Sequence, residues 1–140
     1  MKELTPWLLM AALTVAWMLD RAPALPPADA PPEVVQVDSL LAAMAAGGER
    51  WHAFLDRPTL RTGLYVLPEG AEDRQQPHGE DEVYYVLRGR ATLTVDGIPH
   101  AVEPGTVAFV GAGAAHRFHD IAGGLELLVF FSTAPTTADH

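Results

Sequence analysis

The sequence predicts an all-β domain of short strands, closed into a barrel or sandwich and preceded by an N-terminal arm. Three observations predict it. From Leu60 onward the apolar runs are only a few residues long, which is the length of strands rather than helices. Turn signals separate them at short intervals: Pro68-Glu69-Gly70, Asp96-Gly97, Pro104-Gly105, Gly111-Ala112-Gly113 and Gly123-Gly124, each rich in residues that supply tight backbone bends. Every glycine lies between Gly47 and Gly124, so a turn-rich domain is set apart from a glycine-free arm.

The arm opens with an apolar run from Leu4 to Leu19, preceded by Lys2 and followed by Asp20 and Arg21. The run falls somewhat short of the ~20 residues a membrane-spanning helix needs. Ala22-Pro23-Ala24 offers a signal-cleavage pattern, while Glu3 weakens the positive charge expected ahead of it. Three readings stay open: a secretory signal peptide, a membrane anchor, or an extension with no part in the fold. The protein is accordingly cytoplasmic, or exported or anchored, with any membrane contact confined to residues 4–19. Five prolines within Ala22–Pro32 then mark an extended linker. This divides the chain into an arm and linker at 1–32, a strand-and-helix cover at 33–50, the β domain at 51–133 and a polar tail at 134–140.

Within the cover, Val34–Val37 reads as a short edge strand. Asp38 then reads as the N-cap of a helix from Ser39 to Ala46, stopped by Gly47-Gly48. Leu40, Leu41 and Met44 form its apolar stripe, with Trp51, Phe54 and Leu55 continuing the outer cover and His52 at the surface. Leu60–Leu67 is the first strand of the β domain, and the polar loop Glu72–Gln76 follows it. Ala91–Val95 and Ile98–Val102 flank Asp96-Gly97, a strong two-residue hairpin signal. Thr106–Val110 and Ala115–Phe118 are further strands. Leu125–Phe131 is apolar on both faces apart from Glu126, the mark of a central or interface strand.

Composition removes whole classes of function. The chain has 140 residues, enough for one domain with a sizeable core, and a formal net charge of −9. No basic stripe is available to neutralise phosphates, so nucleic acid is excluded as a partner. Cysteine is absent and Lys2 is the only lysine, which removes thiolate chemistry and leaves almost no scope for a Schiff base. Neither serine, Ser39 or Ser132, sits in a nucleophile elbow. Histidine, carboxylates and tyrosine remain, and those suit metal ligation or acid–base work.

These residues concentrate in Gln76–Gly89, QPHGEDEVYYVLRG. Gln76, His78, Glu80, Glu82, Tyr84 and Val86 all hold even positions, and alternate residues of an extended chain share a face. His78 and Glu82 would also share a helix face. Pro77 and the run Val83-Tyr84-Tyr85-Val86 favour strand instead. Gly89 closes the stretch where the chain must turn. Glu80 and Asp81 read as solvated rim carboxylates, with Glu80 the outside candidate for a base.

The spacing resembles the two sequence motifs of the cupin family. In the first, a His-x-His precedes a Glu, and a Gly follows the Glu by seven residues. Here His78 matches the second His, Glu82 the Glu and Gly89 the Gly, while Gln76 stands at the first His. The second motif matches at Gly105, Gly113 and His116, with Gly111 in place of a Pro and Asp120 in place of an Asn. The resemblance runs from about Leu60 to Phe131. It implies a double-stranded β-helix, the jelly-roll barrel of RmlC-like cupins, with a metal inside one end. The matching metal positions are Gln76, His78, Glu82 and His116.

Two imidazoles and a carboxylate suit iron(II) with open positions, and also hold manganese, nickel or zinc. Gln76 is the departure. An amide oxygen is a weak ligand, yet a Gln-x-His set serves zinc in phosphomannose isomerases of the same family, so Gln76 reads as a ligand, a holder of metal-bound water, or a loop residue. Glu82 and Tyr84 are the catalytic candidates, with Tyr84 otherwise a wall residue. Phe118 shares a face with His116, His119 faces away, and Asp120 reads as a support for a loop or a histidine nitrogen. No role is assigned to His100 or His140.

The function expected is a metal-dependent enzyme, dioxygenase-like or isomerase-like, acting on a small organic molecule. The alternative is a non-catalytic cupin that binds or senses a small ligand. The acidic stretch Glu72–Glu82, offset only by Arg74, favours neutral or phenolic ligands over anions. A homodimer through Leu125–Phe131 or Val34–Val37 is expected from their apolarity and from family habit.

Overall fold

The computed structural model describes residues 31–133; the apolar run, most of the linker and the tail lie outside them. Among the described residues one helix, α1 (Val37–Gly47), precedes six strands: β1 (Trp51–Arg57), β2 (Leu60–Leu67), β3 (Glu82–Val95), β4 (Ile98–Val102), β5 (Val107–Val110) and β6 (His116–Ser132). The strands form one antiparallel sheet in the order β1-β2-β6-β3-β4, with β5 on β3. The all-β jelly-roll expectation holds. Among the described residues no helix is long and apolar enough to cross a membrane.

β3 and β6 are the spine. Gly89 does not end β3, and Gly123-Gly124 does not divide β6: both glycine sites lie inside long strands of 14 and 17 residues. A straight β3 would separate Glu82 from Val95 by ~43 Å at the strand rise. Glu82 pairs with Phe131, and His116 pairs with Val95 at the far end of the same ribbon, with register shifts between Val86 and Thr92. Yet Glu82 and His116 come within 3.2 Å of each other. The ribbon therefore doubles back. Gly89 (φ 85°) and Gly124 (φ 76°) supply the bend, and a Cβ on Gly89 would stand 1.8 Å from the Gly124 carbonyl oxygen.

Alternation sorts the side chains. Tyr84, Val86, Leu93, Phe118, Leu125, Leu127 and Val129 fill the interior. The outer faces of β2, β3 and β6 contribute Leu64, Leu87 and Leu128 to a second cluster beneath Leu41 and Met44 of α1. The two-sided apolarity of Leu125–Phe131 is thus accounted for in part within the chain, as a central strand with α1 over Leu128.

Three expectations for the cover are corrected. Residues 31–36 contain no strand, so Val34–Val37 is not an edge strand, and α1 begins at Val37. Asp38 is not the N-cap. Gln36 holds that position without a side-chain cap, and Asp38 lies in the first turn, where its carboxylate favours the helix dipole and accepts from Arg88 at 2.8 Å. Trp51 to Arg57 form a strand. Phe54 packs toward α1, but Trp51 lies edge-on to Tyr65 and Phe131 on the interior side. The space for its ring comes from Gly63, where a Cβ would fall 2.4 Å from the indole.

The bend yields a paired expectation. Gly89→Ala meets both backbone strain and the Gly124 carbonyl, and should cost about 4 kcal/mol or more. Gly97→Ala, at φ 82° but with open space around it, should cost only about 1–2 kcal/mol for the left-handed conformation. Urea unfolding of the two variants measures the difference, and equal losses would remove the steric role given to Gly89.

Candidate metal centre

Glu82 begins β3 and is 1% exposed. Regular strand starts only there: residues 71–81 are irregular apart from a bend. Pro77 withholds an N–H from any ladder, and the loop's carbonyls serve other segments, with His78 O accepting from Gly113 N at 2.7 Å and Asp81 O from Ser132 N at 3.0 Å. The even-position face is therefore real for Glu82, Tyr84 and Val86, all buried, and does not extend back along the loop as a strand.

Two imidazoles meet Glu82. His78 Nε2 stands 3.1 Å from Glu82 Oε2, and His116 Nε2 stands 3.2 Å from the same oxygen. The two rings are 5.2 Å apart, nearly perpendicular. His116 Nδ1 lies 2.8 Å from the Ala114 carbonyl, which can only accept, so Nδ1 carries a proton. In the neutral ring this leaves the lone pair on Nε2, an atom that is buried and makes no hydrogen bond of good geometry. The Glu82 carboxylate, 3.2 Å from that nitrogen, holds the His116 pKa above the ordinary imidazole range, against the opposing effect of burial. A field that favours a proton there also favours a metal cation. His78, Glu82 and His116 could together hold a metal ion, their ligand atoms lying within 4.8 Å of one another.

Gln76 is exposed, and its amide nitrogen lies 3.4 Å from the Arg74 carbonyl. It lines a cavity of about 620 Å³ that His116 also lines. The neighbouring Gln75 turns to the interior. Its Oε1 accepts from the Tyr84 hydroxyl at 2.9 Å, and its Nε2 donates to Asp73 Oδ2 at 2.9 Å. Asp73 is the residue that sequence reasoning missed. Its buried carboxylate also accepts from the Tyr65 hydroxyl at 2.8 Å and from the Phe118 amide at 2.8 Å, joining the loop to β2 and β6. The signal was an Asp whose carboxylate reaches the N–H two residues on, at Gln75, the local pattern of an Asx-turn.

The other candidates resolve as follows. Burial, then the neighbouring Glu82 carboxylate, pushes the Tyr84 phenol well above its ordinary range, so it stays protonated and donates. Tyr65 is raised likewise, by burial first and then by Asp73. Phe118 packs edge-on to Tyr84 at 4.9 Å. His119 faces away from the centre, with Nε2 2.8 Å from the Thr94 hydroxyl. Asp120 lies 2.8 Å from His119 Nδ1, so it supports that ring. Glu80 is not simply solvated, since it accepts from Arg61 at 2.8 Å. Asp81 anchors the Ala112 amide at 2.9 Å. A second cavity of about 500 Å³ opens beside Glu82, with Trp51, Tyr65, Val129 and Phe131 among its walls.

A doubled-back antiparallel jelly roll with two histidines and a glutamate converging inside it defines the class. The chain belongs to the cupin domain family, whose sequence model matches residues 63–131. It is 43% identical over 97 residues to the uncharacterized protein SCO3923 of Streptomyces coelicolor, an alignment covering 69% of this chain and 92% of that one. Among solved structures, TT1209 of Thermus thermophilus is 26% identical with a TM-score of 0.61, over 72% of this chain and 97% of that chain. An RmlC-like cupin of Shewanella frigidimarina, 24% identical over 61% of this chain and 77% of that one with a TM-score of 0.54, shares the fold.

Removing the Asp73 carboxylate strands buried donors on three segments. Asp73→Ala should lower stability by about 3 kcal/mol or more, at roughly 1–3 kcal/mol for each unsatisfied group. Chemical denaturation checks this, and a loss under about 1 kcal/mol would show that water replaces the carboxylate.

Proposed function

We propose that this chain is a metal-dependent enzyme acting on a small organic molecule held in the cavity beside Glu82, with His78, Glu82 and His116 as the ligands of a divalent transition metal. The supporting observation is the convergence of two imidazole nitrogens on one buried carboxylate oxygen at 3.1 and 3.2 Å. Adjacent ligands bonded to one ion at about 2.1 Å stand roughly 3 Å apart, so the spacing suits such an ion. Iron, manganese, nickel and zinc all accept this donor set. When bound, the ion would polarise a substrate oxygen or, if redox-active, engage O₂.

The chain's own residues then divide the work. The Ala114 carbonyl orients His116 through its Nδ1–H, as the outer partners of ligating histidines do. Glu82 acts as a ligand and counter-charge in this proposal rather than as a free base. Tyr84 is held as a phenol that gives its one proton to Gln75 Oε1, so it orients the Gln75 amide, which lines the cavity. Val129 and Phe131 keep an apolar wall against the ligand. Gln76 is the further candidate of the set, as a ligand or a holder of water, through a movement of its loop.

With Tyr65 held protonated, Glu82 committed to the ion and Glu72 paired with Arg74, little at this cavity is suited to shuttling protons. That favours dioxygenase-like over isomerase-like chemistry. If the resident ion is redox-inert, the same observation favours the second reading, a cupin that binds its ligand without turnover. Self-association as a homodimer is also proposed, through the outer sheet face where Tyr85, Val107 and Phe109 stand exposed. Light scattering should then give twice the chain mass.

The decisive measurement is metal content after loading with iron, manganese, nickel or zinc. Wild type should retain about one ion per chain, and His78→Ala or His116→Ala should weaken retention by at least about tenfold, the low end for disturbing a metal shell. Equal and negligible metal in all three would defeat the proposal. Oxygen uptake by the loaded protein across a panel of small organic compounds then separates oxygenase from binder.

A further inference from the structure

Arginines from three separate segments meet at the cavity beside Glu82. Arg50 precedes β1, Arg61 lies in β2 and Arg74 in the β2–β3 loop, and all three line it. Charge counting along Glu72–Glu82 predicted a mouth hostile to anions. The fold brings Arg50 and Arg61 to that mouth from outside the segment and reverses the expectation.

The three cations are not equally engaged. Arg74 is paired with Glu72 at 2.8 Å. Arg61 spends one N–H on Glu80 at 2.8 Å, while its Nε is buried without an acceptor and its guanidinium lies 4.9 Å from the centre of the Phe131 ring. A guanidinium carries five N–H donors, so most of Arg61's remain unspent. The Arg50 side chain makes no hydrogen bond or ion pair with any described residue. Glu72 and Glu80 thus balance Arg74 and Arg61, the Glu82 carboxylate is engaged by His78 and His116, and the Arg50 guanidinium is left over.

The aromatic wall has the same unfinished character. Trp51 is 40% exposed although it lies edge-on to Tyr65 and Phe131 at 6.5 and 5.8 Å. A large indole held in place by the bare Gly63 below it, and left open on the cavity side, presents a flat apolar surface beside a free cation.

Building on the reading of this cavity as a ligand site, we infer that its ligand is a small monocarboxylic acid with a ring or similarly flat apolar body. The carboxylate accepts from Arg50 and Arg61, and the body lies against Trp51 and Phe131, within the cavity that Glu82 shares. One uncompensated charge matches a monoanion rather than a phosphate dianion. The planar donor fork of arginine matches a carboxylate.

The test is calorimetric titration of the full chain after metal removal by chelation, with circular dichroism confirming the fold and ionic strength held constant. Benzoate, phenylacetate and cyclohexanecarboxylate are each compared with their own primary amides. At least one acid should bind about tenfold more tightly than its amide, the size expected of a charge-assisted hydrogen bond. Arg50→Gln should abolish that preference and Arg61→Gln should reduce it. Arg90→Gln, which removes a pairing with Glu103, should leave it intact. No acid preferred over its amide, or a preference untouched by Arg50→Gln, overturns the inference. Metal removal excludes direct ligation as the source of any preference. Metal retention measured on parallel loaded samples reads the proposed centre independently: metal held with no acid preference defeats this inference alone, and an Arg50-dependent preference without metal retention defeats the metal centre alone.

Discussion

The carboxylate of Glu82, 1% exposed at the start of β3, is the constraint on which the rest of the barrel depends. A buried charge without partners costs several kcal/mol even after relaxation, so positive or protonated groups must reach it. One comes from nearby: His78, four residues back, is held in place by the Gly113 amide on its carbonyl. The other is His116, from the opposite end of the β3–β6 ribbon. Compensating the charge therefore requires the ribbon to fold on itself. The Gly89 and Gly124 bend, the register shifts and the convergence of the two histidines are consequences of one requirement.

A second buried carboxylate stands close by and behaves differently. Asp73 receives the Tyr65 hydroxyl, the Phe118 amide and both donor groups of Gln75. Its demand is met by groups that do not titrate near neutral pH, and it fastens a loop to two strands. Glu82 receives imidazoles, which can exchange a proton for a metal ion. Two carboxylates in one interior thus have separate roles set by their partners: Asp73 fixes the frame, while Glu82 leaves a place that a cation can take. Gln75 links them, because it bonds to Asp73 and to the Tyr84 hydroxyl together.

How far the sequence could be read follows the same physics. Turn chemistry is local, so Asp96-Gly97 and Pro68-Glu69-Gly70 marked their bends directly. Alternation is local too, and it placed Glu82, Tyr84 and Val86 inside and His119 outside. Gly89 and Gly124 were misread as strand ends because a glycine that bends a continuing strand has the same local signature as one that ends it. Only the tertiary approach of the two backbones tells them apart. Trp51 was assigned to the outer cover because nothing near it shows that Gly63, twelve residues on, leaves room for its ring. Asp73 looked like one more polar loop residue, since its partners Tyr65 and Phe118 are distant in sequence.

The distribution of these features along the chain gives the cover a larger part than insulation. His78, Glu82 and His116 all lie within residues 63–131, the stretch shared with the cupin family. Arg50, Trp51 and Arg61 all precede it. The helix α1 packs Leu41 and Met44 on Leu64 and ends at Gly48 in the left-handed conformation, with the Glu49 amide returning to the Met44 carbonyl. The next residue is Arg50. Its carbonyl accepts from the Val66 amide at 2.8 Å, which ties the entry of β1 to β2. The helix cap, the β1–β2 register and the missing side chain at Gly63 together determine where Arg50 and Trp51 stand. On the proposed reading, the family core supplies the cation-holding centre, while the segment ahead of it supplies the charge and the flat wall that a ligand would meet. Selectivity can then change through 37–61 without disturbing the doubled ribbon that assembles the centre.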